Sequence, residues 1–341
     1  MISHKLHTAE TFSFEAGGTL PGITIEYRTS EREYRKGDKV IWICHALTAN
    51  SDPEDWWSDL TGPGKFFDTE KYFVVCVNML TSPYGSSGPA SINPETCKPY
   101  FLDFPKVTVR DIVKTEILVR EHLGIEKVDL LIGGSIGGFQ ALEWTVMEPD
   151  VIQRAVYVAT SARVTPWVTA GLECQRMAIR ADQSFEECRD LKGGEAGLRC
   201  ARGQALISYR SFEGYCLTQP ETDDDVIFAD RAASYERYQG LKITKRNFDA
   251  YSYYYLTYAV DSHNIGRNRG GVAAALSTIK AKTKVIAIDS DCLFPIVDQK
   301  PFADMIPGCE YHVMTSAFGH DGFLLEYPQL REILAPVLES L

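Results

Sequence analysis

No stretch of this 341-residue chain stays apolar for the roughly 20 residues a membrane-spanning helix needs, so a helical span is excluded. The opening MISHKLHTAETFSF lacks a charged leader followed by an apolar region, and no secretory signal is expected. The nine cysteines contain no CxxC pair, which fits neither a disulfide framework nor a zinc site, and no metal is expected. Their odd number, with some in apolar runs such as VVCVN, points to reduced thiols and a cytoplasmic location. Positive charge is also in short supply. A formal net charge of −11 argues against a nucleic-acid partner and obliges any anionic ligand to find a local basic surface. Repeats and low-complexity tracts are absent.

What is present is unevenly distributed. Twelve of the 19 arginines lie between Arg163 and Arg269, and segment 163–272 is about neutral, with 15 basic and 15 acidic residues. The length exceeds the size at which one core usually stops growing, so a large domain with a sizeable insertion is expected, with two separate domains as the alternative. FSFEAGGTLPGITIEYRT (12–29) reads as two alternating strands around a Gly/Pro turn. Short apolar runs follow: VIWICHA (40–46), YFVVCVN (72–78), VDLLIG (128–133), RAVYVAT (154–160), KVIAID (284–289) and EYHVMTS (310–316). Such runs suit strands covered on both faces, as in a parallel sheet. VTVRDIVKTEILVREHLG (107–124) is the clearest helix, with Gly124 as its stop. The alternation predicts an α/β doubly wound core over 1–162 and 273–341. Between them, 163–272 reads as helices only, an inserted lid over the carboxyl edge of the sheet.

Gly133-Gly134-Ser135-Ile136-Gly137 satisfies G-x-S-x-G, and its context is specific: an apolar run precedes it and a helical pattern follows. This is the sharp turn that holds a serine oxygen out at the top of a sheet. A Gly-rich turn of this kind could instead cradle a phosphate, but the flanking strand and helix favour the nucleophile. A hydroxyl needs a base, and the base a carboxylate, in the chain order Ser, acid, His. Only His263, His312 and His320 follow the serine. His263 falls in the lid and His312 inside a strand pattern. His320, in the Gly-flanked loop SAFGHDGF, is the expected base. Asp291 is preferred over Asp289 as the acid, because Asp289 still belongs to the strand end. An oxyanion hole should draw one backbone N–H from Ile136 and another from the loop ICHALTAN. His45 in that loop reads as structural, on chain order.

These motifs resemble those of the homoserine O-acetyltransferase family of α/β-hydrolase-fold acyltransferases. The resemblance runs through CHALTAN, YGSSGPASINP, GGSIGGFQALEW, ISYRS, DSHNIGRNRGG, SDCLFP and GHDGFLLE. It implies an α/β-hydrolase fold with a helical lid, and an acyl-serine at Ser135 with Asp291 and His320 as partners. Leu47 would be the second oxyanion donor, Arg210 would bind the amino-acid carboxylate and Asp321 its ammonium group. L-homoserine and acetyl-CoA would be the substrates, with no further cofactor, and the protein would be a homodimer. Thr81-Ser82-Pro83, the segment PYFLDFP, Ile136 and Phe139 depart from the usual family pattern. These departures leave open a succinyl donor or a serine acceptor. A serine esterase or thioesterase would share the triad but has no use for a zwitterion clamp. A catalytically silent binding protein on this fold would not need the triad at all.

Overall fold

The apolar runs become the strands of one eight-stranded sheet in a computed structural model that describes residues 1–341. They are β1 (Ile2–His7), β2 (Thr24–Thr29), β3 (Val40–Cys44), β4 (Phe73–Val77), β5 (Leu130–Gly134), β6 (Arg154–Val158), β7 (Lys282–Ile288) and β8 (Glu310–Met314). The strand order is β1-β2-β4-β3-β5-β6-β7-β8. From β4 to β8 every neighbouring pair is parallel, whereas β2 runs antiparallel to both β1 and β4.

β1 lies outside the expected set. It is largely exposed and carries no apolar run, because it needs only the edge of β2 to pair with. Residues 12–29 yield a short hairpin, Phe12–Ser13 with Thr19–Leu20, before β2 begins. β8 is the opposite edge and is partly exposed, so it is not covered on both faces.

Helices α1 (Val109–His122) and α2 (Ile136–Met147) cover one face of the sheet. Thr108 and Asp111 form a reciprocal capping box at the start of α1, and Gly124, at φ +67°, follows its last turn. Side chains of β3 alternate between faces: Trp42 meets the Trp144 ring of α2 edge-on at 4.9 Å, while Ile41 and Ile43 point the other way. That second face is closed by α9 (Tyr327–Glu339), through Leu330 and Leu334. α8 (Ile296–Asp304) packs against β7 and β8.

Segment 163–272 contributes α3 (Pro166–Arg180), α4 (Glu195–Tyr209), α5 (Phe212–Thr218), α6 (Arg231–Lys245) and α7 (Ala250–Asp261), with shorter helical turns and no extended strand. Thr165 and Asp249 accept backbone N–H groups at the starts of α3 and α7, and Pro166 occupies the first turn of α3. α3 packs on α4 and α4 on α6. α4 also touches the 3₁₀ turn Gly319–Leu324, which brings the insertion onto the carboxyl end of the sheet.

Candidate active site

Ser135 connects β5 directly to α2 with φ 60° and ψ −127°, a left-handed conformation that costs a non-glycine residue about 1–3 kcal/mol. The surrounding glycines make room for it. A Cβ on Gly134 would stand 2.7 Å from the Phe323 ring, and one on Gly138 would stand 2.6 Å from Thr160. One on Gly137 would enter the Cys44 carbonyl oxygen. The turn is therefore locked by β3, β6 and the His320 loop at once.

His320 is buried and its Nδ1 lies 2.8 Å from Asp291 Oδ2. Asp291 Oδ1 accepts the backbone N–H groups of Leu293 at 2.8 Å and Phe294 at 2.9 Å. A carboxylate can only accept, so Nδ1 carries the proton and Nε2 presents a lone pair. The imidazole is held among three rings: Phe294 and Phe323, each 5.4 Å away, and Tyr209 at 5.8 Å. Phe323 is the ring that also lies over Gly134, so His320 and the serine turn share a wall. Ser135 Oγ itself makes no hydrogen bond. Asp289 instead accepts the Ser316 N–H at 3.0 Å, a local bond at the end of β7.

The other histidines are placed elsewhere. His45 is fully buried, with Nδ1 2.9 Å from the Ala46 carbonyl and Nε2 accepting the Met79 N–H at 3.0 Å. Burial holds its pKa down to about 4, so it is neutral. His263 stacks on Phe139 at 3.9 Å, with Nε2 2.9 Å from the Ser161 carbonyl, and burial lowers its pKa to about 3. His312 sits in β8 beside Glu310.

Leu47 and Ile136 both line the cavity that holds Ser135. The Leu47 N–H has no acceptor in the protein, and Ile136, as first residue of α2, has none within its helix. The cavity measures about 420 Å³ and is walled mainly by apolar side chains, among them Phe139, Leu172, Tyr209, Leu293 and Phe294. Trp167 and Ile207 stand at its exposed rim.

Arg210 and Asp321, distant in sequence, meet beside His320: Arg210 Nε lies 2.9 Å from Asp321 Oδ2. The N–H is not aimed at that oxygen, so this is an ion pair rather than a directed hydrogen bond. Burial pushes the Asp321 pKa up, against the opposing pull of Arg210, His320 and Arg202. Arg202, on α4, is a further cation at this site that the sequence motifs do not single out. It has no carboxylate partner, and its guanidinium lies 5.6 Å from the centre of the Tyr209 ring, next to His320. The sequence signal available was a cation about two turns before Arg210, which follows the last turn of the same helix. Nothing in the sequence marked it off from solvated helix charges.

All nine cysteines are free thiols, and only Cys44 and Cys76 are buried. No three His, Cys, Asp or Glu side chains cluster closely enough to share a metal ion.

The family model for the alpha/beta hydrolase fold matches residues 39–327. A homoserine O-acetyltransferase of Cyclobacterium marinum is 42% identical, over 98% of this chain and 94% of its own. The chain belongs to the homoserine O-acetyltransferase family. Another member, from Trichormus variabilis, is 38% identical over 98% of this chain and 93% of its own. Among solved structures, homoserine O-acetyltransferase from Bacillus anthracis superposes with a TM-score of 0.89 at 25% identity, covering 99% of this chain and 98% of that one. Esterase E22 superposes with a TM-score of 0.87 at 24% identity over 99% and 100% of the two chains, a likeness of fold alone.

Proposed function

We propose that this chain transfers an acetyl group from acetyl-CoA to the side-chain hydroxyl of L-homoserine through an acyl-serine at Ser135. The observation that carries the chemistry is the Asp291–His320 pair, held beside the Phe323 ring that packs on the serine turn, with Ser135 itself lining an apolar cavity. Full-length kinship with proteins named homoserine O-acetyltransferase carries the choice of substrates.

His320 Nε2 takes the Ser135 proton as Oγ attacks the thioester carbonyl, and the Leu47 and Ile136 N–H groups receive the developing oxyanion. The imidazolium then protonates the departing thiolate. In the second half, His320 removes the proton of the acceptor hydroxyl as it attacks the acyl-serine, and the imidazolium returns that proton to the departing Ser135 Oγ as the ester is released. Asp291 stays ionised and holds the imidazole tautomer throughout. Arg210 and Asp321 supply one charge of each sign for a zwitterionic acceptor, whose entry would separate the pair. Arg202, unpaired, joins Arg210 as a cation for the acceptor carboxylate.

The helical insertion 163–272 acts as the lid. Keeping water from the acyl-enzyme while orienting the acceptor is what separates a transferase from an esterase. Phe212, Ile227 and Phe228, at 87%, 88% and 86% exposure, are apolar surface on that insertion suited to a homodimer contact. With free thiols throughout, the protein is assigned to the cytoplasm.

The test follows free thiol from acetyl-CoA with and without homoserine. Thiol release that depends on homoserine supports the transferase, and equal release in both makes the protein a thioesterase. Replacing acetyl- by succinyl-CoA, and homoserine by serine, settles donor and acceptor in the same assay.

A further inference from the structure

Two elements far apart in sequence must be held in register for an oxyanion hole to exist: the loop carrying Leu47 and the first turn of α2 carrying Ile136. Their backbones touch, since a Cβ on Gly137 would stand within 3.2 Å of the His45 carbonyl oxygen. A side chain also bridges them. Gln140, fully buried one turn along α2, directs its amide nitrogen at the His45 carbonyl (3.2 Å), the Ile136 carbonyl (3.2 Å) and Met79 Sδ (3.1 Å). Met79 in turn donates its backbone N–H to His45, whose other ring nitrogen is bonded to the Ala46 carbonyl.

We infer that Gln140 is a positioning residue for the oxyanion hole, its amide tying the Leu47 loop to the helix turn that bears Ile136. This rests on the acyl-serine reading above. First, a carbonyl left free to rotate beside a developing oxyanion would repel it, and the Gln140 amide pins the His45 carbonyl away by giving it a donor. Second, the Gln140 amide oxygen is buried with no donor, a placement that lowers stability and that an apolar side chain of similar volume would avoid. An internal strut with half of its amide unsatisfied is better explained by what the other half holds.

The full-length protein and its Gln140→Leu and Gln140→Glu variants are assayed with p-nitrophenyl acetate as acyl donor and saturating homoserine as acceptor. Rates are expressed per serine titrated to completion with an organophosphate, so that loss of folded protein is divided out. Acylation and deacylation both pass through an oxyanion, so both rates should fall together, roughly 10-fold or more, with KM held within about twofold. Gln140→Glu should regain activity relative to the parent as pH falls and its carboxyl acquires a proton to donate. Per-site rates within about twofold of the parent in both variants would overturn the inference. So would a loss of titratable serine in both, which would assign Gln140 to the fold. Failure of the parent chain itself to label, or to release p-nitrophenol with homoserine present, would refute the acyl-serine reading instead.

Discussion

Asp291→Asn isolates the role of the carboxylate with little change of shape. In the protein, Oδ1 accepts two backbone N–H groups and Oδ2 faces His320 Nδ1. The carboxamide can keep the first two bonds only by leaving its oxygen at Oδ1, because turning the NH2 there would oppose donor to donor. Its NH2 then faces His320, whose Nδ1 must accept, and the imidazole proton moves to Nε2. A base with its lone pair on the wrong nitrogen cannot take the serine proton. Loss of about 10⁴-fold in kcat is expected, on the order of 5 kcal/mol of transition-state stabilisation. The assay is thiol release from acetyl-CoA with saturating homoserine, with circular dichroism melting to check that the fold persists. Asp289→Asn is the matched control, since Asp289 bonds only Ser316 N–H, and should change kcat by less than about threefold. Less than about tenfold loss in Asp291→Asn, or equal losses in the two variants, would refute the assignment.

Gly137→Ala should destabilise the protein by about 3 kcal/mol or more in urea unfolding, because its Cβ would enter the Cys44 carbonyl; an unchanged midpoint would contradict the packing described. Glu116, buried with only Trp42 Nε1 as donor, has a pKa raised by burial to about 8, so the folded state holds a proton that the unfolded state releases. Its stabilising contribution is complete below the unfolded pKa near 4.5 and is lost as pH rises to about 8. The loss amounts to a few kcal/mol, and Glu116→Gln should flatten that slope in melts between about pH 5 and pH 9. Thr81, a β-branched residue at φ 72° with a buried, unpartnered hydroxyl, should gain about 1 kcal/mol of stability as Thr81→Gly, read as a higher urea midpoint. Arg202→Met should raise the KM for homoserine roughly 10-fold or more, with a smaller effect on the KM for acetyl-CoA; equal rises would remove it from the acceptor site.

The serine turn was legible because crowding leaves a compositional trace: the backbone of β3, the Thr160 side chain and the Phe323 ring exclude side chains at Gly134, Gly137 and Gly138. The parallel strands were legible for a similar reason, burial on both faces. β1 left no trace, since an exposed edge strand is specified by its partner's hydrogen bonds rather than by apolar residues. Choosing Asp291 over Asp289 needed only the end of a strand to be located. The Arg210–Asp321 ion pair and the freedom of Arg202 are tertiary facts. They depend on α4 meeting the turn at Gly319–Leu324, and no local spacing encodes that meeting.

The proposed acyl-enzyme has a direct test. Protein mixed with acetyl-CoA alone, quenched and digested, should carry an acetyl group on the peptide containing Ser135. Adding homoserine should discharge that group as O-acetylhomoserine appears. Ester formed at full rate while Ser135 stays unmodified, or by a Ser135→Ala protein, would contradict the account.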